Sequence, residues 1–198
     1  MADEYRKITK KDCKAFITGK KIKDGGSEGR DKSTAMGGYY ILQEEYKDVV
    51  DKSQIKVAIQ GFGNAGSVIA KLLFNDGFKI VAISDSTSGI YCKQGLNIDN
   101  IIKYVYLKEK KQKLIEYRMA EKISNEELLK LDVDLLIPAA LGNVISIQNA
   151  EEIKAKKILE LANSPITPQA EITLFNKQIK IIPDLLANAG GVIVSFFE

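Results

Sequence analysis

The sequence contains no histidine, and that absence excludes more chemistry than any other feature of it. Without an imidazole there is no histidine general base, no serine or cysteine triad that depends on one, and no ordinary zinc site. Cysteine is nearly as scarce: Cys13 and Cys92 are the only two. They are too far apart for ligand spacing or a disulfide framework, which fits a reducing cytoplasm. No apolar run reaches the roughly 18 residues of a membrane span, and the N-terminus, Met1-Ala2-Asp3-Glu4-Tyr5-Arg6-Lys7, has no apolar core of the signal type. A soluble, non-secreted, cytoplasmic protein with no membrane partner is expected. An excess of one charge is missing too: 29 basic and 26 acidic residues are interspersed, for a net charge of +3. No nucleic-acid partner is expected from such a balance. The densest basic run, Lys108 to Lys113, reads as a solvated helix face, and no repeat or low-complexity stretch is evident.

The 198 residues, 45% of them hydrophobic, suffice for one well-cored domain and a small addition. Its organising stretch is residues 55 to 85. Ile55-Lys56-Val57-Ala58-Ile59-Gln60 runs into Gly61-Phe62-Gly63-Asn64-Ala65-Gly66, then into an amphipathic run with Val68, Ile69, Leu72 and Leu73, then into Lys79-Ile80-Val81-Ala82-Ile83-Ser84-Asp85. This reads as strand, glycine turn, helix, strand. In a dinucleotide-binding unit Gly61 permits the tight turn, Gly63 admits a pyrophosphate close to the backbone, and Gly66 lets helix and strand pack closely. Asp85 lies 19 residues past Gly66, near the spacing of about 20 for a carboxylate on the ribose hydroxyls. A glycine-rich turn in another parallel α/β domain is the competing reading.

Residues 2 to 18 carry a thin apolar stripe (Tyr5, Ile8, Phe16, Ile17) and read as an arm, and Lys20 to Arg30 as a polar loop. Ser33 or Thr34 is expected to cap a helix through Val50 with Tyr39, Tyr40, Tyr46, Val49 and Val50 facing inward. Ser86 to Gly89 reads as a loop, Asn97 as the cap of a helix carrying Ile101, Ile102, Val105 and Leu107, and the charged stretch to Glu121 as helical by propensity. Ser124-Asn125-Glu126-Glu127 has capping-box spacing for a short helix ending near Leu131. Three apolar runs, Val133 to Ile137, Lys157 to Glu160 and Ile179 to Ile182, are separated by stretches of helical length and read as parallel buried strands. The fold class is therefore α/β: a doubly wound Rossmann-type, mostly parallel sheet of at least five strands with helices on both faces. Ligands of such sheets lie outside the carboxyl ends of the strands, where Asp85, Pro138-Ala139-Ala140, Asn163 and Asn188 fall. Asn163 and Asn188 suit a carboxamide or hydroxyl, or alternatively cap the helices that follow.

Together, Gly25-Gly26-Ser27-Glu28-Gly29-Arg30 with Ser33-Thr34, the glycine turn, Ile137 to Asn143, Ala162 to Pro168, and Pro183 to Glu198 resemble the nucleotide-binding domain of glutamate dehydrogenases, in the Glu/Leu/Phe/Val dehydrogenase family. The resemblance runs from about Asp3 to Glu198. It implies that Thr34, Gly61, Gly63, Asn64, Ala65, Gly66, Asp85, Ala139, Ala140 and Asn163 bind the dinucleotide, with Asn188 near the nicotinamide amide. It implies that Arg30, Val192 and Ser195 face the amino acid. The implied chemistry is oxidative deamination of L-glutamate to 2-oxoglutarate and ammonia, with hydride passing to the nicotinamide. NAD is expected ahead of NADP, because Asp85 would repel a 2′-phosphate, with the lysines around Lys93 as a compensating charge. The division implied is an arm over residues 1–25 and a dinucleotide domain over 26–198.

The sequence departs from the family's usual residues at Ala35, Leu161 and Ser164 (usually Gly), Gly142 (usually Glu) and Ile166 (usually Thr). Side chains at 35 and 164 are expected to crowd the ligand. No stretch resembles the family's catalytic loop; its catalytic lysine and acid belong to an N-terminal domain that would precede Met1. By itself the chain is expected to be inactive and to need an amino-acid-binding domain or partner chain. The family is homo-hexameric, whereas this chain is expected to be a monomer or weak oligomer, with apolar surface at Tyr5, Phe16, Phe196 and Phe197 where missing parts would dock. A leucine, phenylalanine or valine dehydrogenase domain, or a dinucleotide-binding module without turnover, are the alternatives.

Overall fold

The computed structural model describes residues 2–11, 17–106 and 112–198. Cys13, Phe16, Leu107 and Lys108–Lys111, singled out above, lie outside them. After α1 (Ala2–Thr9), a 3-10 turn (Ile22–Asp24) and α2 (Ser33–Glu45), the chain enters β1 (Lys56–Gln60), α3 (Asn64–Asn75) and β2 (Lys79–Ser84). Then come β3 (Gly89–Tyr91), α4 (Ile98–Tyr106), β4 (Glu121–Ile123), α5 (Asn125–Leu129), β5 (Leu135–Pro138) and β6 (Lys157–Leu159). The last elements are α6 (Pro168–Asn176), β7 (Lys180–Ile182), α7 (Asp184–Ala187) and α8 (Ala189–Phe197).

The sheet has seven strands in the order β4-β3-β2-β1-β5-β6-β7. β1 pairs in parallel with both β2 and β5, so the chain winds outward in both directions from β1. The strand order reverses between β1 and β5, which places a crevice at the carboxyl ends of those strands. Val57 and Ile59 point to one face, onto α2, α3 and α4, and Ala58 to the other, onto α5 and α6. Burial on both faces explains why these strands read as apolar runs without alternation. Val57, Ile59, Ile83, Leu136 and Ile137 are fully buried, each contributing on the order of 1.5–3 kcal/mol by removal from water.

Local signals account for several boundaries. In α5, Ser124 N–H donates to Glu127 Oε2 (2.7 Å) and Glu127 N–H to Ser124 Oγ (3.0 Å), the reciprocal cap its spacing predicted. Asn97 Oδ1 accepts from Asn100 N–H (3.0 Å) at the start of α4. Thr167 caps α6, with Pro168 in its first turn, where a missing N–H costs nothing.

Four expectations are corrected. α2 ends at Glu45 rather than Val50, and its start is capped by neither Ser33 nor Thr34: Ser33 Oγ donates to Arg30 C=O (2.8 Å). Tyr46 is buried edge-on against Phe78 (5.4 Å), but Tyr40 and Val50 are exposed. Adjacent Tyr39 and Tyr40 cannot share one face of a helix. The segment to Glu121 is not one helix. Past α4 it holds a 3-10 turn (Leu114–Glu116) and then β4, which extends the sheet antiparallel through β3. The connection from β5 to β6 carries only a 3-10 turn (Ala150–Glu152). There Asn149 bonds Ser146 N–H and Val144 C=O (2.8 and 2.9 Å), stabilising a turn instead of a helix. Finally, β3 leads the chain back along β2, so that Leu96 N–H donates to Ile80 C=O (2.7 Å). Lys93 therefore lies toward the amino end of β2, about 13 Å from Asp85 at roughly 3.3 Å per residue, too far to offset its charge.

Candidate dinucleotide site at the strand ends

At the carboxyl end of β1, Gly61 has φ +100°, a conformation that disfavours side chains. A Cβ there would meet Ala140 Cβ at 2.8 Å, and one on Gly66 would sit 1.8 Å from Gly61 C=O. Both glycines are therefore required by packing. Gly63 differs: its φ is −89°, and a Cβ on it would meet nothing within 4 Å. It leaves open space at the start of α3, where no side chain caps the helix. The N–H groups of Asn64, Ala65 and Gly66 in that first turn lack intrahelical acceptors, and the helix dipole adds positive potential. This fits a pyrophosphate. Tyr106 Oη donates to Phe62 C=O (2.9 Å), tying α4 to the glycine turn.

At the end of β2, Asp85 is held by its own neighbours. Its Oδ1 accepts from Thr87 N–H (2.8 Å), Thr87 Oγ1 (2.7 Å) and Ser88 N–H (3.1 Å), and its Oδ2 from Leu114 N–H (3.0 Å). Partial burial opposes ionisation, but these donors outweigh it and hold the carboxyl below the usual range. Oδ2 thus keeps spare capacity for a ribose hydroxyl, while Oδ1 is committed to the turn. Two buried oxygens nearby in the fold, Gln60 Oε1 and Ser88 Oγ, have no protein partner.

At the opposite end of the crevice Asn188 Nδ2 donates to Asn163 Oδ1 (2.8 Å). Neither side chain caps a helix: Asn188 at the start of α8 makes no side-chain cap bond, and α6 is capped by Thr167. The two amides retain a donor on Asn163 and an acceptor on Asn188, the complement of a carboxamide. Ala139 and Ala140 lie between these ends, after β5, with Ala139 N–H donating to Gln60 C=O (2.8 Å).

Arg30 and Ser195 come together although 165 residues apart: Arg30 Nε donates to Ser195 Oγ (2.7 Å). Thr34 joins them, because a Cβ on Gly191 would lie 2.5 Å from Thr34 Oγ1 and 3.6 Å from Arg30 Nη1. Gly37 and Gly190 touch backbone to backbone, a Cβ on Gly37 falling 3.1 Å from Gly190 N. Helix α8 thus sits directly on α2. Val192 is 73% exposed on its outer face, as are Phe196 and Phe197, whereas Tyr5 is half-buried.

The obstruction expected at Ala35 is absent, and Leu161, another departure from the family's glycine, is also turned into the core. Ala35 and Leu161 are buried, Leu161 Cδ1 filling the space beside Gly38. Both enlarge the core instead of crowding a ligand. Ser164 does take up a backbone region that favours glycine (φ +43°), held by its N–H to Asp184 Oδ2 (2.7 Å).

Sequence reading missed the clamp on Glu198. Its carboxylate accepts from Gly19 N–H and Lys20 N–H (3.0 Å each) and pairs with Lys20 Nζ (2.7 Å). The Lys20 side chain and these two amides lower its pKa to about 2. Glu160, a charged residue closing an apolar strand, was a legible signal left unread. It is buried, and burial raises its pKa.

Among the described residues no helix is long and apolar enough to cross a membrane, and no cluster of acidic or cysteine ligands suits a metal. Residues 25–198 match the family model described as Glutamate/Leucine/Phenylalanine/Valine dehydrogenase. The whole chain aligns at 44% identity with 48% of an NADP-specific glutamate dehydrogenase of Synechocystis. It aligns at 45% with 47% of an NAD-specific glutamate dehydrogenase of Staphylococcus aureus. In three dimensions 99% of it superposes on 46% of the hetero-hexameric glutamate dehydrogenase of Thermus thermophilus (TM-score 0.84, 27% identity). The glutamate dehydrogenase of Plasmodium falciparum gives 0.82 over 99% of this chain and 44% of that one, at 27% identity. The chain spans about half the length of the relatives it matches. It belongs to the Glu/Leu/Phe/Val dehydrogenase family, as a Rossmann-type portion of it.

Proposed function

We propose that this chain is the dinucleotide-binding part of a glutamate dehydrogenase, with NAD as the preferred cofactor and L-glutamate and 2-oxoglutarate as the amino-acid pair. The observation that carries the reading is the uncapped start of α3 beside Gly63, facing the crevice where the strand order reverses. The cofactor, when bound, accepts or returns the hydride. The residues here bind and orient: the first turn of α3 takes the pyrophosphate, Asp85 Oδ2 a ribose hydroxyl, and Asn163 with Asn188 the carboxamide. Arg30, oriented by Ser195, supplies positive charge toward a substrate carboxylate, and Val192 offers an apolar surface to its methylenes. Preference for NAD rests on the Asp85 charge, which would repel a 2′-phosphate. The lysine and acid for proton transfer come from an amino-acid-binding domain outside these residues, residues 1–25 being the arm leading from it. A monomer or weak oligomer is the expected state of these 198 residues alone, in a reducing cytoplasm.

Calorimetric titration of the chain with NAD and NADP tests this. Binding of NAD, tighter than of NADP, is the expected result; binding of neither overturns the reading.

A further inference from the structure

The two asparagines at the nicotinamide end are 25 residues apart, yet a single residue holds both turns that carry them. Asp184 Oδ2 accepts from the N–H of Ser164, next to Asn163 (2.7 Å), and Asp184 C=O accepts from Asn188 N–H (3.0 Å). Asp184 is fixed in turn: its N–H donates to Glu160 Oε2 (3.0 Å), at the end of β6. We propose that Glu160 and Asp184 are positioning residues that staple the turn after β6 to the turn after β7 and so set the Asn163–Asn188 amide pair for the carboxamide of the cofactor. The proposal rests on the cofactor reading above.

The chemistry favours a tunable staple. Glu160 is only 8% exposed. The charged groups that face it are both carboxylates, Asp184 from α7 and Glu171 from α6, while the N–H groups of Asp184 and Ile166 donate to it. No described lysine or arginine pairs with it. Burial, reinforced by those two carboxylates, raises its pKa above the ordinary value. As the carboxylate takes up a proton, its bond from Asp184 N–H loses its charge assistance and weakens. The amide pair should then loosen at a higher pH than a surface glutamate would allow. Glu160→Gln imposes the neutral state and also turns an NH₂ toward one of the two N–H donors.

The test compares NAD with ADP-ribose, which shares every cofactor atom except the nicotinamide, on wild type, Glu160→Gln and Asp184→Asn. Each variant should weaken NAD about fivefold, the size of one lost hydrogen bond, and leave ADP-ribose unchanged. In wild type the advantage of NAD over ADP-ribose should fall as pH drops through the Glu160 titration, and in Glu160→Gln it should be flat. Parallel loss of both ligands, or identical pH profiles, would overturn the proposal. Side-chain amide NMR of Asn163 and Asn188 separates the two readings: their resonances should track Glu160 protonation in wild type without ligand. If they do and neither ligand binds, the cofactor reading fails and the staple stands; if they stay flat, the staple is refuted.

Discussion

A methyl group on Gly66 would lie 1.8 Å from the carbonyl oxygen of Gly61, so the first turn of α3 is seated against the turn that precedes it. Gly66→Ala should therefore destabilise the fold by about 3 kcal/mol or more, in the range of overpacking against rigid backbone, read as a lower urea midpoint. Gly63→Ala should leave that midpoint within about 0.5 kcal/mol, as for an unstrained surface change, while weakening dinucleotide binding. A Gly63→Ala variant that binds normally would show that nothing approaches the backbone there.

Asp85→Ala removes the acceptor of four hydrogen bonds from Thr87, Ser88 and Leu114. Affinity for NAD should fall about tenfold, on the order of one charge-assisted hydrogen bond, with the 86–88 amides losing protection in hydrogen exchange. NADP, freed from the carboxylate, should lose less. Titration of both cofactors checks this; an unchanged NAD affinity would remove Asp85 from the site.

Glu198 ties α8 to the segment before α2, and its folded pKa of about 2 lies below the unfolded 4.5. A depressed carboxylate stabilises the fold above its unfolded pKa and loses that contribution as pH falls through the folded one. Exchange of the Gly19 and Lys20 amides should accelerate, relative to intrinsic rates, between about pH 4.5 and 2. Glu198→Gln should show no such step.

Asp134 pins β1 beside β5, accepting Lys56 N–H at 2.8 Å through Oδ2 and pairing with Lys156 Nζ at 2.7 Å. Asp134→Ala leaves the Lys56 N–H at the start of β1 unpaired and should cost about 1–2 kcal/mol. Lys156→Ala should cost far less, because that lysine is mostly exposed.

What was legible in the sequence was local. The glycine turn, the Ser124 capping box and the apolar runs of β5, β6 and β7 each carry their instruction within a few residues. β3 and β4 were not legible: each is three residues long, too short for periodicity, and forms only because β2 offers an edge. Ser33 and Thr34 look like caps in isolation, but packing under α8 claims them. The partners of Asn163, Arg30 and Glu198 lie 25, 165 and 178 residues away, so their pairing is set by the fold and by no spacing rule. The resemblance pointed to residues that the fold gathers at the strand ends, but not to the bonds that already occupy Asp85.

The contact between Gly37 and Gly190 limits how this part of the fold can change. Where two helices meet through backbone, there are no side chains between them to exchange, and any residue larger than glycine wedges them apart. Variation along α8 is therefore confined to its exposed row, Val192, Ile193 and Phe196, while the glycines of its inner row are closed to substitution. If α8 faces the amino acid as proposed, selection or design for a different one would act on that outer row and leave the helix contact untouched.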